Sequence, residues 1–399
     1  MNLEKFLDQI DIEEIYKTIL DLEKPKHPLY NWDDLEAAAE YIKEKMESYG
    51  MMTEFHEFYI EGFDKPFKNV LGYIGDQNKP AIVLGSHYDT VIDTPGANDN
   101  LSGVAVSLEI ARILSQIENP PSVIIAVFTL EEGHPYYYKR LLELMRPKGW
   151  LDNRDRLTSL KMLRFNRKVS KLVGERHRKT RKLISIIYEE LIEEHKNDFS
   201  ENELEYVIIQ YEVMKELENI YKEPKVPIYA LVGSTMFVNK VLKENINVKS
   251  IINLDTLGWI SDKQGSQKPL PITKEMLPLT TCYKMEIKGT IGNFITVVAN
   301  QSAKRMLDDY LALCSKSEID MPCFGLYMPF DLNTIYYTAP DTLRSDHTPF
   351  WAENIPGIFI TDTANFRSPY YHTAEDKRYH INYEALEKIT KAILGTILI

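Results

Sequence analysis

Apolar positions along the chain fall into two patterns, short continuous runs and stretches with a spacing of three or four residues. The spaced stretches predict helices, and the short runs predict buried strands. The predicted helices lie at 11–22, 33–49, 101–116, 235–244, 300–315 and 383–398, and the predicted strands at 52–60, 69–74, 80–86, 122–129, 249–254, 282–288 and 358–361. Helices that alternate with buried strands indicate a three-layer α/β/α domain.

The stretch 134–229, which we call the helical segment, has a different pattern. Its apolar residues have helical spacing, and no part of it reads convincingly as a strand. The predicted helices of this segment lie at 140–145, 160–172, 183–194 and 204–221. Its first half is strongly basic and its second half strongly acidic. We interpret it as an all-helical insertion, acting as a lid or an oligomerisation element, in a discontinuous domain formed by 1–133 and 230–399.

Histidine and acidic side chains follow the predicted strands. These side chains are His87, Asp89, Glu131, Glu132, Asp255 and His372. In open α/β sheets, ligands bind outside the carboxyl ends of the strands, so we expect these side chains to converge at one edge of the sheet. Two histidines with several carboxylates suit a borderline metal such as zinc. A further carboxylate beside them suits a general base acting on a metal-bound water.

The motifs around these residues resemble those of the two-zinc aminopeptidases, a metallopeptidase family that also holds glutaminyl cyclases and glutamate carboxypeptidases. The matching motifs lie at 87–89 (His-Tyr-Asp), 96–103, 131–133 (Glu-Glu-Gly), 233–234 (Gly-Ser), 253–255 (Asn-Leu-Asp), 345–350 and 371–373 (Tyr-His-Thr). One such motif would be weak, but the ordered set in its strand context is a strong signal. The resemblance implies a mixed, mostly parallel sheet, and it leaves the helical segment without a counterpart in the family core.

The resemblance also implies which residues bind metal. One zinc ion would be bound by His87 and Asp255, and the other by Glu132 and His372. Asp99 would bridge the two ions, and the peptide bond after it would be cis. A cis bond before a residue other than proline is costly and persists only where the surrounding structure of a functional site enforces it. Cobalt or manganese could replace zinc, since oxygen and nitrogen ligands accept all three metals.

The catalytic roles follow from the same resemblance. Glu131 would be the general base, and the hydroxyl of Tyr371 would stabilise the oxyanion. Asp89 would accept a hydrogen bond from the second ring nitrogen of His87 and so fix its tautomer. Asp376 would orient the metal-binding histidine at position 372 in the same way.

Several of these residues also have a plainer explanation. Asp99 precedes a predicted helix and could simply cap it. Tyr371 could be a core residue, because the chain contains 24 tyrosines. His87 and Asp89, taken alone, would more often be structural, and only the ordered set of motifs favours the catalytic interpretation. We expect His347 to be structural or next to the substrate, and not a ligand.

Composition narrows the class of protein further. The 399 residues carry a net charge of −12, which disfavours nucleic acid as a partner. No apolar run reaches the about 18 residues expected of a membrane span, and the N-terminal residues lack the apolar region of a signal peptide. The three cysteines have no CxxC spacing, which indicates reduced thiols. We therefore expect a cytoplasmic protein without a membrane partner.

The sequence thus predicts a zinc-dependent aminopeptidase, a hydrolase with two Zn²⁺ ions per chain that removes N-terminal residues from short peptides. The peptides would carry a free N-terminus, and the chain could form homo-oligomers through the helical segment. Three alternatives stay open: a glutaminyl cyclase with one zinc ion, a carboxypeptidase of the same family, and a non-enzymatic binding protein that acts through the helical segment.

Overall fold

A computed structural model describes residues 3–221, 226 and 228–399. The helices are α1 (Leu3–Leu7), α2 (Ile12–Leu22), α3 (Trp32–Ser48), α4 (Ser102–Leu114), α5 (Pro135–Met145), α6 (Leu160–Thr180), α7 (Ile184–His195), α8 (Glu201–Ile220), α9 (Val232–Glu244), α10 (Lys304–Cys314), α11 (Leu332–Thr338), α12 (Thr348–Ala352) and α13 (Tyr383–Leu398). The strands are β1 (Met52–Phe58), β2 (Phe67–Ile74), β3 (Ala81–His87), β4 (Val123–Phe128), β5 (Val248–Leu254), β6 (Ser261–Gln264), β7 (Thr280–Tyr283), β8 (Ile291–Gly292), β9 (Ile295–Asn300), β10 (Cys323–Met328) and β11 (Gly357–Thr361).

Nine strands form one mixed sheet in the order β1-β2-β4-β3-β5-β11-β9-β10-β7. The four central strands, from β4 to β11, pair in parallel, and so do β9 and β10. Antiparallel pairs join β1 to β2, β2 to β4, β11 to β9, and β10 to β7. Because parallel strands run the same way, the carboxyl ends of the central four lie at one edge of the sheet.

Helices cover both faces of this sheet, because successive side chains of a strand point to opposite faces. Ile82 and Leu84 of β3 pack on one side in a core that includes residues of α4 and α13. Val83 packs on the other side with Phe237 of α9 and Phe350 of α12. This arrangement confirms the predicted three-layer α/β/α fold.

Two parts of the sheet differ from the sequence prediction. The strand predicted at 282–288 ends at Tyr283, because Lys284 has a φ of 52° and the chain leaves the extended conformation there. The sequence patterns also gave no strand at β9 or β10, although every residue of β9 is buried. Periodicity alone cannot distinguish such a short apolar run from a buried helix segment.

The helical segment contains α5 to α8 and one isolated β-bridge between Leu151 and Leu157. Its helices enclose a separate apolar core, in which Ile187, Val207 and Leu217 are fully buried. No helix in the described part of the chain is both long and apolar enough to cross a membrane.

The two ends of the helical segment lie side by side. The amide of His134 donates to the carbonyl of Tyr229 at 2.8 Å, and the amide of Leu231 donates to the carbonyl of Glu131 at 3.1 Å. A Cβ atom on Gly233 would lie 2.1 Å from the carbonyl oxygen of Thr129, so only glycine fits where the returning chain meets β4. The chain therefore leaves and re-enters the α/β domain at one place, directly beside the predicted catalytic pair.

Candidate active site

The central strands bring the predicted side chains to one edge of the sheet. His87 is the last residue of β3, and Asp255 directly follows β5. The strand before Glu131 is shorter than predicted, since β4 ends at Phe128. Leu130 has a φ of 57°, so the glutamate pair lies in a turn after the strand instead of ending it.

Asp99 lies between the two predicted zinc-binding histidines. Its Oδ1 is 3.5 Å from Nε2 of His87, and its Oδ2 is 3.2 Å from Nε2 of His372. Nε2 of His372 is also 3.1 Å from Oε2 of Glu132, and Nε2 of His87 is 3.7 Å from Oδ1 of Asp255. The structure thus brings the five predicted ligands together in the predicted pairs around one shared carboxylate.

The residues present fit a metal centre. Nε2 of His87 is buried and has no hydrogen-bond partner among the described residues, yet it faces three carboxylates at 3.5–3.9 Å. Ligand atoms of His87, Glu131 and Asp255 lie within 4.8 Å of one another, and so do those of His87, Asp99 and Glu132. Histidine nitrogen with carboxylate oxygen is a donor set that zinc accepts.

Burial and crowding shift the pKa values of this cluster. Burial raises the pKa of Glu131 well above its usual value, and the charges of Glu132 and Asp255 raise it further. Burial and the charge of Asp99 raise the pKa of Glu132 to about 7. Although burial opposes it, the nearby carboxylates raise the pKa of His372 to about 10. Bound cations would lower all of these pKa values, since they favour ligands without protons.

Asp89 holds the backbone of the glutamate pair. Its Oδ1 accepts a hydrogen bond from the amide of Glu131 at 3.1 Å, and its Oδ2 accepts one from the amide of Glu132 at 3.2 Å. Nδ1 of His87 lies 3.6 Å from the carboxylate of Asp89 and 3.3 Å from its backbone oxygen. Asp89 therefore lies beside the histidine, but its backbone oxygen and not its carboxylate is at hydrogen-bond distance from Nδ1. Its carboxylate positions the two glutamates, which was not predicted.

The role predicted for Asp376 was wrong. Its two carboxylate oxygens accept hydrogen bonds from the amides of Asn98 and Asp99, each at 3.0 Å. It therefore fixes the loop that carries Asp99 instead of orienting His372. The peptide bond between Asp99 and Asn100 is cis, as the resemblance implies. Oδ1 of Asn100 accepts from the amide of Gly103 at 3.2 Å, so Asn100, and not Asp99, contacts the first turn of α4.

Sequence reasoning missed two residues before the motif histidine at 347. Arg344 donates from Nη2 to the hydroxyl oxygen of Tyr371 at 3.2 Å. Asp346 is fully buried, and burial raises its pKa to about 7. The motif at 345–350 indicated this loop, but only the tertiary structure shows which of its side chains approach the cluster. His347 is structural as expected, with Nε2 2.8 Å from the carbonyl of Thr342.

Two pockets adjoin the cluster. The first, which we call the sheet pocket, encloses about 830 Å³ and is lined by Asp255 and Tyr371 and by apolar side chains of β9 and β10. The second, which we call the segment pocket, encloses about 900 Å³ and is lined by Asp89 and Glu132 and by side chains of the helical segment. Both volumes include space open to solvent.

Comparison with known proteins identifies the family. The chain matches the description of Peptidase family M28 over residues 69–210 and 327–397, just over half of its length. This chain belongs to Peptidase family M28. The first matched stretch extends into the helical segment, so the match does not mark where that segment begins.

Relatives of this M28 peptidase chain include proteins with and without an assigned activity. It is 24% identical over 394 residues to the uncharacterised protein YfbL of Escherichia coli (strain K12), covering 96% of this chain and 86% of YfbL. Over 83 residues, it is 37% identical to aminopeptidase YwaD of Bacillus subtilis (strain 168), covering 19% of this chain and 18% of YwaD.

Solved structures share the fold. A leucine aminopeptidase precursor from Bacteroides thetaiotaomicron superposes with a TM-score of 0.54 at 15% identity, covering 98% of this chain and 97% of that chain. A glutaminyl cyclase from the same organism, bound to N-acetylhistamine, superposes with a TM-score of 0.54 at 14% identity, covering 98% of both chains. These likenesses confirm the predicted fold, which both activities share.

Proposed function

We propose that this chain is a zinc-dependent aminopeptidase that hydrolyses short peptides at a free N-terminus. The position of Asp99 carries the proposal, because its two oxygens face two different histidines at 3.5 and 3.2 Å. A carboxylate shared in this way suits two cations about 3.5–4 Å apart, the separation typical of two-metal hydrolases. One ion would be held by His87 and Asp255, and the other by Glu132 and His372.

When bound, the zinc ions would polarise the scissile carbonyl and lower the pKa of a water molecule. Glu131 is the general base in this proposal. Its Oε2 lies 3.9 Å from Nε2 of His87, so the carboxyl group is beside the ligand cluster. Its buried position favours holding a proton, which it can take from the attacking water and deliver to the leaving amine. The hydrogen bonds from the amides of Glu131 and Glu132 to Asp89 hold the backbone that carries this carboxyl.

Tyr371 would stabilise the developing oxyanion. Its hydroxyl oxygen accepts a hydrogen bond from Arg344, so the hydroxyl hydrogen remains available for a second oxygen. Its ring stacks on that of His372 with centroids 3.8 Å apart, which holds the hydroxyl near the metal ligands. A preorganised donor of this kind acts on charge that develops only in the transition state.

The sheet pocket suits the side chain of the N-terminal residue. Its lining includes Val298, Phe324 and Leu326, all at most 3% exposed, so it would favour an apolar side chain. Asp255 lies at its edge, where a substrate α-amine would meet negative charge. This arrangement supports cleavage after the first residue.

Glutaminyl cyclase is the second candidate, because a cyclase shares the fold over 98% of this chain. The resemblance describes the cyclase as a one-zinc enzyme, whereas in this proposal the residues around Asp99 would hold two ions. The complete set favours the peptidase.

Metal analysis combined with a substrate panel tests the proposal. We expect two zinc ions per chain and hydrolysis of free-amine dipeptides, with N-acetylated dipeptides left intact. Cleavage of the acetylated peptides would indicate a carboxypeptidase. One zinc ion per chain with cyclisation of N-terminal glutamine would indicate a cyclase.

A further inference from the structure

We propose that the segment pocket binds the side chain of the residue that follows the scissile bond, and that it selects a large apolar or aromatic residue there. This inference rests on the proposed aminopeptidase function and adds a second specificity to it. The substrate class would be short peptides with an apolar first residue and a bulky apolar second residue.

The segment pocket lies between two parts of the α/β domain and the helical segment. Residues 27–30 and 89–92 form one side, and Glu132 brings that side to the ligand cluster. The opposite wall is mostly aromatic and aliphatic. Its side chains from the helical segment include Tyr138, Leu141, Leu142, Met145, Leu151 and Leu157. A wall of this composition favours an apolar ligand group.

Four polar side chains of this pocket, those of Tyr30, Asp155, Tyr206 and Gln210, already have partners in the protein. Gln210 donates to the hydroxyl of Tyr206 at 3.0 Å and accepts from the hydroxyl of Tyr137 at 2.5 Å. The hydroxyl of Tyr30 donates to Asp155 at 2.9 Å, and Asp155 also accepts two hydrogen bonds from Arg146. A ligand side chain therefore meets mainly apolar surface. An acidic ligand side chain would meet the negative charges of Asp155 and Glu132, which disfavours it.

The helical segment is anchored to the α/β domain on both sides, so its wall is a fixed part of the site. Near the pocket, the hydrogen bond from Tyr30 to Asp155 joins the α/β domain to the helical segment. At the far end of α6, the guanidinium of Arg181 lies 4.3 Å from the ring centre of Tyr336 and donates to Asn333 at 3.2 Å. Close to the cluster, a Cβ atom on Gly133 would lie 2.3 Å from the Tyr138 ring, which shows how tightly that wall approaches the metal ligands.

The two pockets differ in a way that sets the direction of the peptide. Asp255 lines the sheet pocket, whereas Glu132, a proposed ligand of the other ion, lines the segment pocket. The segment pocket has an open rim, where Tyr30, Ile92 and Tyr138 are 41%, 37% and 38% exposed. A peptide whose first residue occupies the sheet pocket places its next residue on the Glu132 side, and the rest of the chain leaves over this rim.

Filling each pocket in turn tests this assignment. Leu142→Trp fills the segment pocket, Ile272→Trp fills the sheet pocket, and Glu143→Trp places the same side chain on an exposed position of α5. The readout is kcat/KM of the zinc-loaded protein for Leu-Phe, Leu-Gly and Ala-Gly. For wild type and Glu143→Trp, we expect Leu-Phe to exceed Leu-Gly at least about tenfold, a typical discrimination by an apolar pocket.

Leu142→Trp should abolish this preference for the second residue while leaving the ratio of Leu-Gly to Ala-Gly unchanged. Ile272→Trp should change only the ratio of Leu-Gly to Ala-Gly. An unchanged second-residue preference in Leu142→Trp, or a loss of it in Ile272→Trp, overturns the assignment.

Calorimetry separates this inference from the proposed function. Leu-Phe and Leu-Gly are titrated into zinc-loaded Glu131→Gln, with and without Leu142→Trp. If Leu-Phe binds more tightly than Leu-Gly and Leu142→Trp removes this difference, the result supports the assignment of the segment pocket. Equal binding of both peptides overturns the assignment. If wild-type protein hydrolyses no peptide, the aminopeptidase proposal fails. The titration still tests whether the segment pocket binds the bulky apolar side chain.

Discussion

Arg344 and Tyr371 form a contact that orients the tyrosine hydroxyl. The guanidinium donates from Nη2 to the hydroxyl oxygen at 3.2 Å, so this oxygen is an acceptor and its own hydrogen points elsewhere. Burial raises the pKa of Tyr371 well above 10, and the charges of Asp99 and Glu132 raise it further. The hydroxyl therefore stays protonated, as an oxyanion donor must be.

Tyr371→Phe should lower kcat by roughly 10²–10³-fold with little change in KM, because it removes one donor to the transition state. Arg344→Met should have a smaller effect, since it only frees the hydroxyl to rotate. Tyr370→Phe is the matched control, one residue away with its ring stacked on His380, and should behave like wild type. Steady-state kinetics measure all three. Wild-type turnover in Tyr371→Phe would remove the tyrosine from the mechanism.

Glu131→Gln should reduce turnover by roughly 10²–10⁴-fold while keeping both metal ions, because only the proton transfer is lost. Glu132→Gln is the comparison, since the adjacent residue is a proposed ligand and its variant should lose metal as well as rate. Metal content by elemental analysis and peptide hydrolysis distinguish the two. Near wild-type activity in Glu131→Gln would contradict the proposed role of the base.

Asp99→Ala should have the lowest metal content of the ligand variants, since it removes an oxygen from each ion. His87→Ala and His372→Ala should each affect mainly one ion. Equilibrium dialysis against zinc followed by elemental analysis gives the stoichiometry. Two ions per chain in Asp99→Ala would show that this carboxylate does not bridge them.

Zinc binding should release protons, and zinc affinity should rise between pH 6 and pH 8. Without metal, Glu132 has a pKa of about 7 and His372 a pKa of about 10, so at pH 7 His372 holds a proton and Glu132 is about half protonated. Zinc requires an ionised carboxylate and a neutral imidazole, so binding displaces at least about one proton at pH 7. Higher pH leaves fewer protons to displace, which strengthens binding. Titration calorimetry in buffers of different ionisation enthalpy counts these protons, and pH-independent binding without proton release would refute the ligand set.

Replacing 134–229 with a short glycine-containing link should leave a folded, metal-binding domain that cleaves longer peptides relatively better. The short link is feasible because the amide of His134 and the carbonyl of Tyr229 are hydrogen-bonded at 2.8 Å. The physical reason is that the helical segment covers one side of the site and limits access to it. Rates for peptides of two to ten residues measure the effect. An unchanged length preference in a folded deletion variant would show that the segment is not a lid.

Much of the site was predictable because its residues follow apolar runs. His87 ends a buried strand, Glu131 and Asp255 come shortly after one, and parallel strands bring such positions to one edge. The helical segment was also visible from its spacing and charge. By contrast, β9 and β10 were missed because periodicity alone does not distinguish a short apolar run in a strand from one in a buried helix. The role of Asp376 was misassigned because sequence order does not show which backbone amides its carboxylate meets.

The sequence by itself determined the family, the layered α/β arrangement and the set of candidate metal-binding residues, since these depend on local patterns and ordered motifs. Only the tertiary structure decided that the two oxygens of Asp99 face different histidines, and that Arg344 reaches Tyr371. It also decided that the helical segment supplies one wall of a second pocket. Such relationships depend on side-chain directions and on contacts between distant parts of the chain, which packing sets and local sequence does not encode.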